Sequence, residues 1–280
     1  QQLLPRCKHR LAQLVLSASE GDVWLSVTSR SPSGRFSANK ITQCSRALAY
    51  AGRSIRLSWR IMRSAYHDQL DQFDEALVHM TKLVNAAMIE ATNALLDADL
   101  VAAESVIAGD EAIDAVAHDM EEQALQLVAL QAPVATDLRV LLSGLRISAS
   151  LERMGDLAVH VAKAARMRYP ASAVPIELRS VITEMGDVAE RIVRRTGEVL
   201  ATRDIDAAIG LAVIDDDMDF LHRQLFHAVL SEDWQHGVEA AIDVTLVSRY
   251  YERFADHAVT IGKRVVHIVT GEPYSTAGVE

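Results

Sequence analysis

"LERMGDLAVHVAK" at Leu151–Lys163 and "YERFADHAVTIGK" at Tyr251–Lys263 are the same phrase written twice, one hundred residues apart. Glu, Arg, Asp, Ala, Val and Lys hold their places while the residues between them drift. A duplicated unit follows. A second match supports it: "DEAID" at Asp110–Asp114 aligns with "DDDMD" at Asp215–Asp219 at an offset of 105, so the second copy has lost five residues between the two motifs.

Around these phrases the apolar residues recur every three or four positions, the period of an α-helix with one buried face. Leu70, Phe73, Leu77, Met80, Val84, Ala87, Ala91 and Leu95 mark a first helix. A second runs from about Leu100 to Leu130, after the polar break "DAD". Pro133 cannot continue it, and Thr136 or Asp137 can cap a third that carries the first phrase to about Tyr169. "YPASAVP" then reads as a linker. The plan restarts at Pro175: Leu178, Ile182, Met185, Ala189, Ile192, Thr196 and Val199 mark a fourth helix. A fifth covers about Asp204–Leu230, and "SEDWQHG" leads into a sixth. The fold class is therefore all-α, two tandem three-helix bundles over 62–172 and 173–280. A chain that is half apolar, only 5% aromatic and has six prolines suits helices better than sheets.

Residues 1–61 are a different material. They hold ten basic residues and two acids, against eighteen and thirty-six in residues 62–280. Rich in Ser and Arg and without sustained periodicity, they read as a basic, poorly ordered extension, with Met62 favoured as the initiator. Such a tail suits nucleic acid or acidic lipid in general, but nothing else in the chain points to nucleic acid. Cys7 and Cys44 both lie in this stretch, so neither a disulfide framework nor a thiolate site is indicated. No run reaches the roughly 18 apolar residues of a membrane helix, which favours a soluble intracellular protein.

The fixed acids can be placed on the helices. Glu152 and Asp156 are four apart, about 40° around a helix and one turn along it, so they share a face. Asp110 and Asp114 do the same. In an antiparallel helix pair, residues at one level are equidistant from the connecting loop. Asp110 with Asp156, and Asp114 with Glu152, both centre on Pro133; Asp215 with Asp256, and Asp219 with Glu252, both centre between Gln235 and His236. Each hairpin is thus expected to bring four carboxylates to one level. Clustered like charges raise one another's pKa values, and hard cations would compensate them. The candidate metal ligands are Asp110, Asp114, Glu152 and Asp156, then Asp215, Asp219, Glu252 and Asp256. The plainer alternative is a solvated acidic face neutralised by Arg153 and Arg253.

Catalytic machinery is not visible. Di-iron bundles use Glu-x-x-His, whereas residue 155 is Gly and residue 255 is Ala. Walker loops, serine elbows and paired Cys/His zinc patterns are also missing. The expectation is a non-enzyme.

With "LERMGD", "YERFADHA" and "PVATDLR" (Pro133–Arg139) in view, the chain from about Met62 to Glu272 resembles the PhoU family of phosphate regulators. Where many members have Asn four residues after the motif Asp, this chain has His160 and Thr260. The resemblance implies two tandem three-helix bundles, acidic motifs that bind iron, zinc, magnesium or manganese, and self-association, with a homodimer expected. It also implies a cytoplasmic adaptor that couples the ATPase subunit of a phosphate ABC transporter to a sensor histidine kinase. That adaptor would meet the inner face of the plasma membrane only through its partners and would hold down phosphate-starvation signalling. A metal-storing or metal-buffering bundle is the rival reading.

Overall fold

The structure is a computed structural model and describes residues 15–19, 22–26 and 38–272, with side chains described over 66–272. The chain divides into two units, Gln1–Ile61 and Met62–Glu280. In the first, β1 (Val15–Ser19) and β2 (Asp22–Ser26) form an antiparallel hairpin pairing Ser17 with Trp24. The helix that follows, α1 (Ala38–Asp97), begins well ahead of the first expected apolar residue, Leu70. The rest of the expectation for 1–61 falls outside the described residues.

Helix α2 (Leu100–Gln131) starts where the "DAD" break ends, because the Asp99 carboxylate accepts from the amides of Val101 and Ala102 at 2.9 and 3.1 Å. It stops before Pro133, with Ala132 in the left-handed region. Helix α3 (Thr136–Arg168) differs from expectation at its start. Its N-cap is Ala135, with no side-chain bond, and Thr136 and Asp137 are already inside the first turn. After a 3-10 turn, Ile176–Leu178, come α4 (Arg179–Thr202), α5 (Ile205–Ile209), α6 (Leu211–Val229) and α7 (Gly237–Thr270). The expected fifth helix is therefore two pieces. Asp204 caps the short first piece through the Ala207 amide, and Gly210 marks the break. Three long helices are still written twice.

The expected apolar faces are the core. Phe73, Leu77, Met80, Val84, Ala91 and Leu95 of α1 are buried, as are Leu178, Ile182, Met185, Ala189, Ile192, Thr196 and Val199. Leu70 and Ala87 of the first stripe are only partly buried, packed against that core. One apolar cluster runs through both repeats without interruption. Two antiparallel seams join them. Along α1 and α4, a Cβ placed on Gly186 would stand 2.7 Å from Thr92 Cγ2, and one on Gly197 would stand 2.9 Å from Thr81 Oγ1. Along α3 and α7, the rings of His160 and Tyr250 lie 5.1 Å apart, and near the other ends Arg139 meets Ile268. The Tyr251 hydroxyl on α7 and the Thr92 hydroxyl on α1 share a buried 2.7 Å hydrogen bond. Because α3 and α7 are equivalent and antiparallel, Glu152 and Asp156 stand level with Asp256 and Glu252.

Candidate metal centre

In the first hairpin, α2 carries Asp110 and Asp114 while α3 carries Glu152 and Asp156. Gly155, between the two α3 acids, lets α2 come close: a Cβ there would be 2.9 Å from Ile113 Cδ1 and 3.3 Å from Asp110 Oδ1. The level computed from the loop centre is the level at which the helices touch. Burial holds the Asp110 pKa above the usual carboxylate range, with repulsion from Asp114, Asp156 and Glu152 adding to it and Lys163 opposing it. Glu152 is raised in the same way, by burial first; Arg153 pulls it down, and Asp114, Asp156 and Glu121 push it up. The four acids thus share one electrostatic neighbourhood. Arg153 neutralises Asp156 through a 2.7 Å hydrogen bond. His160 donates from Nδ1 to the Asp156 carbonyl oxygen at 2.6 Å and packs against Tyr250.

The second hairpin repeats the pattern with one change. Burial pushes the Asp215 pKa up to about 6, helped by Asp256, Asp219 and Asp216 and opposed by Lys263. Its Oδ1 is sealed from solvent and has no hydrogen-bond partner. Asp219 faces Arg223 at 4.0 Å. Glu252, by contrast, is held by Arg249 on its own helix; its Oε2 touches the guanidinium and is closed to solvent, though without the alignment of a hydrogen bond. The neutralising arginine is therefore Arg249, one turn before Glu252, and not the Arg253 read from the phrase. His257, left out of the candidate ligands, is half-buried with its pKa lowered by burial and by Arg253.

Both phrases end on a lysine, Lys163 and Lys263. Each is the cation opposing the charge on the more buried α2 or α6 acid. Among the described residues, no three His, Cys, Asp or Glu side chains are arranged around a common point as a metal ion would require. The donor set is nevertheless right in kind for hard or borderline cations: carboxylate oxygens only, among them the sealed Asp215 Oδ1 without a hydrogen-bond partner.

A pH dependence follows. Asp215 is harder to ionise in the folded protein than at its ordinary value of 3.8, so the folded state holds the proton more tightly. Stability contributed by that proton is lost as pH rises through about 6. Asp215 therefore favours a higher melting temperature of the metal-free protein at pH 5 than at pH 7.5, while His222 and His257, whose pKa values are lowered by burial, pull the other way. Asp215→Asn should stabilise it at pH 7.5 by about 1 kcal/mol, a figure reduced for the half-exposed setting, and flatten the profile. Thermal melts across pH test this; an unchanged profile in the variant would remove Asp215 as its source.

Residues 77–165 and 182–265 each match the model of the PhoU domain. Over 210 residues, 75% of this chain, the sequence is 49% identical to the phosphate-specific transport system accessory protein PhoU homolog 2 of Mycobacterium tuberculosis and covers 99% of it. It is 48% identical to PhoU homolog 1 of Mycobacterium leprae, covering 95% of that protein. The crystal structure of the phosphate transport system regulatory protein PhoU from Streptococcus pneumoniae is similar at a TM-score of 0.68 and 25% identity, over 75% of this chain and 99% of that one. PhoU from Pseudomonas aeruginosa gives 0.65 at 25% identity, over 74% and 100%.

Proposed function

The chain belongs to the PhoU family, and we propose that it restrains phosphate uptake and phosphate-starvation signalling while phosphate is plentiful. The family makes it an accessory, regulatory protein of phosphate transport rather than an enzyme. What carries the reading is the 49% identity over nearly the whole length of a phosphate-specific transport accessory protein. Its partners on this reading are the ATPase subunit of the phosphate ABC transporter and a sensor histidine kinase, which it couples as a homodimer at the inner face of the plasma membrane. No described helix is long and apolar enough to cross a membrane, in keeping with attachment through partners. It acts by binding one conformation of each partner better than another, which shifts their equilibria without bond-making.

Metal is the second part of the proposal. Asp110, Asp114, Glu152 and Asp156 would hold one ion or cluster, and Asp215, Asp219, Glu252 and Asp256 another, of iron, zinc, magnesium or manganese. A bound cation supplies the positive charge that burial and mutual repulsion leave wanting in each hairpin. A metal-storing bundle is the rival, favoured by the acids alone.

One experiment separates these. The protein is captured from phosphate-replete cells as wild type, as Glu152→Ala with Asp156→Ala, and as Glu252→Ala with Asp256→Ala, and each sample is analysed for metals and co-captured proteins. Wild type should bring both partners and metal, and each double variant should lose one hairpin's share of metal while keeping its helicity. Equal metal in all three removes the ligand assignment. Metal without either partner leaves the storage reading.

A further inference from the structure

Both seams between the repeats end in arginines. Where α3 finishes, Arg168 donates from Nε and Nη2 to the two oxygens of Asp243 at 2.5 and 3.0 Å, and Nη1 reaches Glu239. Asp243 is buried. At the opposite end of the same seam, Arg139 Nε donates to the Ile268 carbonyl oxygen at 3.2 Å, in the last turn of α7. Along the other seam, Arg203 at the end of α4 binds Asp74 near the start of the described side chains of α1. Arg179, the first residue of α4, binds the Leu96 carbonyl oxygen and lies 3.4 Å from Asp97 at the end of α1.

These contacts are images of one another. Positions 139 and 239, and 168 and 268, are equivalent at the offset of 100, so the Arg168–Glu239 and Ile268–Arg139 contacts are one contact seen from either repeat. Positions 74 and 179 are equivalent at 105, and Asp97 falls within one residue of the counterpart of Arg203. The Arg203–Asp74 and Asp97–Arg179 contacts therefore exchange charge across the same pseudo-twofold. We propose that the four arginines are latches that hold the two repeats as one rigid body and fix the separation of the two acidic hairpins.

Motion is the default for tandem units joined by a short linker, unless the interface between them is large and apolar. Here the apolar seams supply adhesion, which is by itself non-directional, and the buried Thr92–Tyr251 hydrogen bond pins it at one point. Arg168 supplies direction, because its bidentate guanidinium is satisfied only in one register, and Arg139, Arg179 and Arg203 add hydrogen bonds at the other seam ends. Arg168 is the firmest latch, since releasing it strands a buried carboxylate. It also sits at the C-terminus of α3, with Glu239 in the first turn of α7, where both helix dipoles favour those charges. Any partner that touches both hairpins then meets a fixed spacing.

Paired spin labels test this on the full chain. With Cys7→Ser and Cys44→Ser, labels at Ala115→Cys on α2 and Gln224→Cys on α6, both exposed, report the distance between hairpins. A single narrow distribution is expected, widening about twofold or more when Arg139→Ala and Arg168→Ala are added and helicity is kept, as hinge or shear motion is released. A broad distribution before the arginines are removed, or an unchanged one afterwards, overturns the proposal. If the alanine pair loses helicity, Arg139→Lys with Arg168→Lys decides, because lysine keeps the charge without the fork. Widening is again expected, and an unchanged width overturns the latch.

Discussion

Arg168→Ala is expected to lower the melting temperature by about 6–10 °C, far more than removal of a surface ion pair. The reason lies on the other side of the contact. The Asp243 side chain is 7% exposed, and Arg168 is the cation that satisfies both of its oxygens. Without it a carboxylate is left buried and unpaired, or must take up a proton, and either outcome opposes folding. Asp243→Asn should cost less, since the amide keeps one acceptor for the guanidinium and Glu239 still holds the charge. Calorimetry of both variants checks the order. Equal, small losses would show that solvent reaches Asp243 in place of the arginine.

The second large effect is a pair of glycine substitutions with opposite signs. A Cβ on Gly144 of α3 would stand 2.3 Å from Cε1 of Phe73, whose ring is fully buried and cannot step aside. Overpacking of that kind costs about 1–3 kcal/mol, and more at such a distance, which outweighs the roughly 1 kcal/mol of helix propensity that alanine brings. Gly109 of α2, also mid-helix, has nothing within 4 Å of the same position. Gly109→Ala should therefore stabilise by about 1 kcal/mol, while Gly144→Ala destabilises by about 2 kcal/mol. Denaturant melts give both numbers. A stable Gly144→Ala protein would mean that α1 and α3 are less tightly apposed than the structure places them.

Local chemistry made much of this fold readable in advance. The start of α2 after "DAD" is a capping event within three residues, and the apolar stripes of α1 and α4 are the faces found buried. The acids could be levelled across each hairpin because antiparallel helices leave one arithmetic relation between sequence and height, and the contact of Gly155 with Ile113 and Asp110 lies at that level. What escaped depends on longer reach or on weaker signals. The start of α1 at Ala38 lies in a basic stretch without an apolar stripe. The break at Gly210 interrupts a helix whose apolar spacing continues through it. Arg249 carries no local signal, because only the rotamer of Glu252 reveals their pairing. The latch residues were invisible for a different reason: no local pattern says that α3 will lie antiparallel to α7, so Arg139 and Arg168 have no readable partners until the repeats are assembled. The closing lysines of the two phrases were in plain view, and only their electrostatic effect on Asp110 and Asp215 gives them a role.

The regulatory reading stands or falls on one comparison in the host: a phosphate-responsive reporter in phosphate-rich medium, with the gene present, removed, and restored, in a strain freed of any second copy. The reporter is expected to be silent with the gene, expressed without it, and silent again on restoration, because on the proposed function the kinase would lose and regain the partner that holds it in its non-signalling state. Silence in all three strains would contradict it.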